Sequence, residues 1–305
     1  MQDVSKEILE KYQVRKTKAQ KTEFIEFMRG KYPDMHVEKG GFGNNRNIVI
    51  GDVASAKAVF TAHYDTCARL PFPNFITPKN ILFYLLYSIL IVIPFFAFSI
   101  LVEIGLVLLH VDPFIAYVLS LIVLFGSITW VFMLGTPNKH TANDNTSGVV
   151  ALCELMASLP EEQRKACAFV FFDNEENGLF GSSFFAKLHA KEMREKLLIN
   201  LDCVGDGDNI MLVTSKQAAH LSPILKSAFP EETGKHPLFE SSSSAFYPSD
   251  QINFKKTVAV AALKKNKLLG YYMDRIHTKK DTVCDERNIE YLCRGFSEFL
   301  ENYGT

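Results

Sequence analysis

Two stretches of 23 residues each, 80–102 and 114–136, contain no Asp, Glu, Lys or Arg. About 20 consecutive apolar residues cross the hydrocarbon core of a bilayer as a helix, so each stretch is long enough to span it. Only a short turn separates them, which predicts a helical hairpin. Pro94 predicts a kink in the first span, a feature that membrane helices tolerate. Glu103 and Asp112 are expected at or beyond the span ends. There a carboxylate escapes the cost of about 2.5–3.5 kcal/mol assigned to a charge at a helix centre. Arg69 and Lys79 precede the first span, Lys139 follows the second, and the turn carries no Lys or Arg. This bias predicts that both flanks are cytoplasmic. The alternative for so apolar a pair is a long helical arm buried in a dimer.

The remainder reads as an α/β chain. Of the 305 residues 48% are hydrophobic and 22% charged, enough to bury a sizeable core, and the net charge of −1 gives no reason to expect nucleic acid as a partner. The six cysteines form no CxxC, and several lie in apolar runs, so they read as buried thiols in a reducing compartment. Residues 1–21 are polar and dense in charge, unlike a secretory signal. Helical spacing covers 4–12 and 18–29. The glycine-rich segment 39–45 lacks the GxxxxGK[ST] pattern of a phosphate loop and reads as a hairpin turn. Strands are expected at 47–50, 58–61, 166–172, 197–201, 210–213 and 258–263. Helices are expected after Gly148 through about 159, over 216–229, and over 286–303 with Asp285 as cap.

Polar residues gather where these strands end. His63 and Asp65 follow one strand. Glu175 and Glu176 follow the next, before a helix expected to start near Gly181 with Ser182 as its cap. Asp202 follows the third. His277 lies beyond the strand 258–263, and Asp144 sits in the turn before a helix. Open α/β sheets place ligands at the carboxyl ends of their strands. Two carboxylates ~4 Å apart repel by about 4 kcal/mol at an effective dielectric of 20, so four acids in one cleft demand raised pKa values or cations. Two divalent metals would remove the conflict, and mixed His and carboxylate ligation suits zinc, with cobalt or manganese as substitutes. His140 reads as a solvated loop residue, and Cys67 and Cys203 as packing. The remaining histidines, His36, His110, His189, His220 and His236, read as surface or structural.

Five motifs carry a family resemblance: His63-Tyr64-Asp65; Asn143-Asp144-Asn145; the run from Asp173 through Glu175-Glu176 to Gly181-Ser182; Asn200-Leu201-Asp202; and Ile276-His277-Thr278 with Asp281-Thr282. In this order, over about residues 57–303 apart from the hairpin, the chain resembles metallopeptidase family 28, the co-catalytic dizinc aminopeptidases and their glutamate carboxypeptidase relatives. The resemblance implies one metal on His63 and Asp202, a second on Glu176 and His277, and Asp144 bridging them. It implies Glu175 as general base and Asp65 as the partner that orients His63. Two departures stand out. Gln251 occupies a position where many members carry His after a Ser-Asp pair, here Ser249-Asp250. The hairpin replaces what would be a much shorter connection.

The expected architecture is a three-layer α/β/α domain around a mixed sheet, formed by residues 1–79 and 137–305, with a transmembrane hairpin inserted at 80–136. The expected activity is that of a membrane-anchored dizinc metallo-exopeptidase using two Zn2+ ions. It would act as an aminopeptidase on peptide substrates, in contact with lipid through residues 80–136. Its catalytic domain would be cytoplasmic, and a homodimer is left open. The rivals are glutaminyl-cyclase or carboxypeptidase chemistry on the same fold, metallopeptidase family 20, and a non-catalytic receptor or scaffold. Family 20 usually inserts a lid domain for which the segment between Asp202 and His277 leaves little room.

Overall fold

A computed structural model describes residues 1–303 of the chain. The strands are β1 His36–Gly40, β2 Asn45–Ile50, β3 Ala58–His63, β4 Cys167–Phe172, β5 Leu197–Leu201, β6 Asn209–Thr214, β7 His236–Ser241, β8 Thr257–Asn266 and β9 Gly270–Tyr272. Among the described residues they form one mixed sheet in the order β1-β2-β4-β3-β5-β8-β6-β7, with β9 paired to β8. The central block β4-β3-β5-β8 is parallel. Strand β4 reads as an unbroken apolar run because both of its faces are covered. In β4, Cys167, Phe169 and Phe171 face one core, and Ala168, Val170 and Phe172 face another.

The first core is closed by α1 Asp3–Lys11, α2 Lys18–Lys31, α5 Gly148–Ser158, α8 Ser222–Ala228 and α9 Glu286–Tyr303. The short α6 Glu161–Lys165 leads into β4. On the opposite face, α7 Phe180–Leu188 packs Phe185 against Phe172 and Phe254. The result is the expected three-layer α/β/α arrangement. The helix expected over 216–229 is broken: a 3-10 segment, Lys216–Leu221, precedes α8. Pro223 stands in the first turn of α8, where its missing N–H is tolerated, as it would not be in mid-helix. Asp285 caps α9 as expected, its Oδ1 accepting from Arg287 N at 3.0 Å.

Residues 81–134 project as two helices, α3 Ile81–Leu108 and α4 Pro113–Thr129, the latter continued by a π-helical turn, Trp130–Leu134. Both are long and apolar enough to cross a membrane. They pack on each other, burying Ser99, Ala116, Ser120 and Leu124, small residues for the most part, and leave their large apolar side chains exposed. Helix α3 runs past residue 102 to Leu108, so Glu103 lies inside it and not at its end. Its carboxylate is partnered there, because Ser120 Oγ donates to Glu103 Oε2 at 3.1 Å.

The hairpin leaves and rejoins the sheet domain at one neck. Ala68 pairs with Pro137, Arg69 N donates to Thr136 O at 2.9 Å, and Asn138 N donates to Cys67 O at 3.1 Å. The same neck holds the loop that carries His277: Leu70 N donates to His277 O at 2.7 Å, and Asn138 Nδ2 to Thr278 O at 3.0 Å.

Candidate metal centre

Because β4, β3 and β5 are adjacent and parallel, their carboxyl ends open side by side on one edge of the sheet. That single fact brings Glu175 and Glu176, His63 and Asp65, and Asp202 together from three separate segments. Asp144 reaches the same edge through the turn before α5. There Asn145 Nδ2 donates to Leu201 O at 2.9 Å, and Asn143 Oδ1 accepts from Gly205 N at 2.7 Å. The backbone of that turn is held by Asp281, whose carboxylate accepts from Asn143 N at 2.8 Å and Asp144 N at 3.1 Å.

Asp144 lies between two groups of ligand atoms. Its Oδ1 is 3.3 Å from His63 Nε2, and its Oδ2 is 2.9 Å from His277 Nε2. On one side, single atoms of His63, Glu175 and Asp202 lie within 4.8 Å of one another. On the other, atoms of Asp144, Glu176, His277 and Cys67 do the same. Asp202 Oδ1 is 3.6 Å from His63 Nε2, and Glu176 Oε2 is 3.4 Å from His277 Nε2. All seven candidate residues thus meet at one place. His140 is exposed and belongs to neither group of ligand atoms. Cys67 is buried as a packing residue would be, yet its sulfur also belongs to the second group, which its place two residues after Asp65 did not reveal.

Asp65 does something the sequence left open. Its carboxylate accepts from the backbone N–H of Glu175 at 2.9 Å and of Glu176 at 3.2 Å, while its Oδ1 stands 3.6 Å from His63 Nδ1. The nearer partner of Nδ1 is the Asp65 carbonyl oxygen, at 3.1 Å. A proton on Nδ1 donated to that oxygen leaves Nε2 free to take a cation. Asp65 therefore clamps the Glu175–Glu176 turn with its side chain and fixes His63 with its backbone.

That turn is built tightly. Gly178 has φ +115°, and a Cβ at Gly181 would stand 2.1 Å from Asp173 O, so the helix packs directly on the strand end. Helix α7 starts at Phe180 behind Leu179, which has φ 60°, and Ser182 donates to Leu179 O at 3.1 Å from within the first turn. Ser182 is not the cap expected of it, because Leu179, three residues earlier, holds that position. Lys21, from α2, anchors the base of the turn with Nζ 2.6 Å from Asp173 Oδ1 and 2.7 Å from Asn174 Oδ1. The buried Arg15 donates to Tyr64 O and to Thr146 Oγ1. Nothing in the local sequence of α2 marks Lys21 for this role.

The electrostatics show carboxylates outnumbering the groups that neutralise them. Burial, then Glu176, Asp250 and Asp202, push the Glu175 carboxyl well above its ordinary range against the pull of His63. Burial and the adjacent Asp144 carry Glu176 up to about 8 despite His277. Burial alone would lower the two imidazoles. The carboxylates around them overcome it, raising His63 well above its ordinary value and His277 to about 9. Asp250 is fully buried, and neither of its carboxylate oxygens has a hydrogen-bond partner; the same holds for Glu176 Oε1 and Asp202 Oδ1. Of these acids, Glu176 and Asp202 stand beside imidazole nitrogens; buried, unpartnered carboxylate oxygens so placed suit divalent cations, and this donor set fits zinc. Gln251 is a brace: its Oε1 accepts from Asn200 Nδ2 at 3.0 Å, and its Nε2 donates to Tyr247 O at 2.6 Å.

The sequence model of peptidase family M28 matches residues 127–291 of the chain, more than half of it. No curated protein matches the sequence. Among solved structures, the LapA aminopeptidase of Legionella pneumophila shares the fold with a TM-score of 0.52 at 13% identity, over 98% of this chain and 66% of that one. LapB from Legionella pneumophila gives 0.53 at 13% identity, over 99% and 70%. Glutaminyl cyclase from Porphyromonas gingivalis gives 0.57 at 13% identity, over 98% and 97%. The chain thus spans just under two thirds of the length of LapA, and identities this low speak for the fold alone.

Proposed function

The chain belongs to peptidase family M28, and from that premise we propose that it is a membrane-anchored dizinc metallo-exopeptidase, an aminopeptidase that removes N-terminal residues from peptides. The observation that carries this reading is Asp144, whose two oxygens face His63 and His277 separately. A carboxylate placed between two imidazoles, each with a further acid beside it, suits two neighbouring cations. His63 and Asp202 would hold one, Glu176 and His277 the other, with Asp144 shared. Bound divalent ions supply a water of lowered pKa and polarise the scissile carbonyl.

The chain's own residues do the rest. Among the acids whose oxygens belong to the ligand groups, Glu175 is the one not assigned as a ligand. Its carboxylate takes a proton from the attacking water and delivers it to the leaving amine nitrogen. Asp65 holds Glu175 and Glu176 in register so that one faces the water and the other the cation. Asp281 positions the Asp144 backbone. The apolar hairpin, residues 80–136, is the insertion that anchors the domain of residues 1–79 and 137–305, and the basic flanks Arg69, Lys79 and Lys139 support a cytoplasmic side for that domain.

The test is a pair of variants of the full chain. Glu175→Gln should keep metal and fold and lose hydrolysis, whereas Asp144→Ala should lose metal. A fully active Glu175→Gln enzyme, or fewer than one metal per chain under zinc-replete conditions, overturns the reading. Specificity is tested with free aminoacyl, N-blocked, C-terminal glutamate and N-terminal glutaminyl substrates. Turnover confined to the free aminoacyl set supports the aminopeptidase, and turnover confined to any other set replaces it.

A further inference from the structure

A cavity of about 550 Å³ shares a wall with the Glu175–Glu176 turn but contains none of the proposed ligands. Asp173, Asn174 and Asn177 form that wall, and the others carry five cations: Lys16, Lys18, Lys21, Lys39 and Arg46. Asp173 is the one acid in the lining, and Lys21 already neutralises it at 2.6 Å. None of the other four cations forms an ion pair among the described residues. Arg46 donates to neutral oxygens, Thr22 Oγ1 at 2.7 Å and Lys18 O at 3.2 Å. Lys16 Nζ donates to the Met133 carbonyl, and Lys18 and Lys39 are exposed. Gly40 and Gly43 leave their part of the wall without side chains.

Four unpaired cations around one concavity focus positive potential on it. A guanidinium among ammonium groups is the usual equipment for holding phosphate oxygens. Position narrows the source. Met133, which accepts from Lys16, lies in the last turn of the second apolar segment. The cavity rim therefore adjoins the end of a helix long enough to cross a bilayer, where basic residues meet anionic headgroups.

We propose that this cavity binds a phosphomonoester group, presented by an anionic lipid headgroup beside the hairpin. A soluble phosphate offers the same chemistry, and the experiment separates the two. Full-length protein in detergent is titrated calorimetrically with three probes: dioctanoyl phosphatidylinositol 4-phosphate, dioctanoyl phosphatidylcholine and inorganic phosphate. The phosphoinositide should bind, more weakly as salt is raised, and phosphatidylcholine should not. The double variant Lys18→Glu/Lys39→Glu, with both side chains exposed, should lose at least about tenfold in affinity with melting temperature and metal content unchanged. The single variant Lys39→Gln should weaken binding in the same direction, which guards against a folding defect in the double.

Inorganic phosphate binding as tightly as the phosphoinositide, and lost in the same variants, keeps the phosphate site and overturns the lipid source. Phosphoinositide binding no tighter than phosphatidylcholine, or unchanged in Lys18→Glu/Lys39→Glu, overturns the site. Binding is read without turnover, so this test stands or falls apart from the peptidase reading.

Discussion

Replacing Asp65 by Asn isolates the clamp on the Glu175–Glu176 turn. The carboxylate accepts two backbone N–H groups, at 2.9 and 3.2 Å, in a position that is 1% exposed. An amide has one oxygen to offer. One backbone N–H must therefore face an NH2 group, and the other keeps a neutral acceptor in place of a charged one. A hydrogen bond to a charged group is worth about 1.5–3 kcal/mol, and an unmade buried one costs a similar amount. A loss of about 2–3 kcal/mol in the placement of Glu175 converts to roughly a 30- to 150-fold fall in kcat/KM. The assay is steady-state hydrolysis of an aminoacyl substrate at saturating zinc, with metal content and melting temperature measured on the same preparation. Were Asp65 needed only to orient His63, the damage would appear as metal loss from the His63–Asp202 side. The Asp65 carbonyl, 3.1 Å from Nδ1, survives the substitution and should retain that metal. Full metal occupancy with kcat/KM within threefold of wild type would refute the clamp.

Lys21→Met strands the buried Asp173 without its cation and should destabilise the protein by about 3–5 kcal/mol, read as a drop in melting temperature in detergent; a drop under 2 °C would count against it. Gly181→Ala sets a methyl 2.1 Å from the Asp173 carbonyl oxygen, which is backbone and cannot rotate away. It should cost at least about 1–3 kcal/mol and reduce activity by displacing the turn, whereas wild-type activity would show that the strand end yields. Asp285 bears on pH. Against burial, its bonds with Arg287 and Lys235 hold its carboxyl down to about 2, below the unfolded value. The stability it contributes is present above pH ~4 and is lost as pH falls toward about 2. The melting-temperature gap between wild type and Asp285→Asn should therefore shrink over that window, and a constant gap contradicts the assignment.

The sheet was legible because its central strands are buried on both faces and so read as short apolar runs, as in residues 166–172. The gathering of site residues was legible for a related reason: polar residues immediately after such runs have to lie at strand ends. What stayed hidden depends on partners far away in the chain. Ser182 follows a glycine and looks like a cap, but Leu179 adopts φ 60° and closes the helix first. Glu103 looked terminal because the uncharged run stops at 102, yet Ser120 on the neighbouring helix supplies the partner that lets α3 continue. Lys21 and Arg15 sit in an ordinary amphipathic stretch, and only the packing of α2 and its preceding loop against β3 and β4 turns them inward. Asp65 was expected to act on His63. Its larger part, holding two backbone N–H groups more than a hundred residues ahead, has no local signature.

The neck at Ala68 and Pro137 has a consequence for how the protein is made. His63 and Asp65 leave the ribosome before the two apolar helices, and Asp144, Glu175, Glu176, Asp202 and His277 leave after them. On the membrane reading, a chain that inserts only one of the two helices strands these halves on opposite sides of the bilayer. Cys67 could not then meet Asn138, nor Leu70 the His277 loop. Activity would thus report topology: a molecule able to turn over substrate has threaded the bilayer an even number of times.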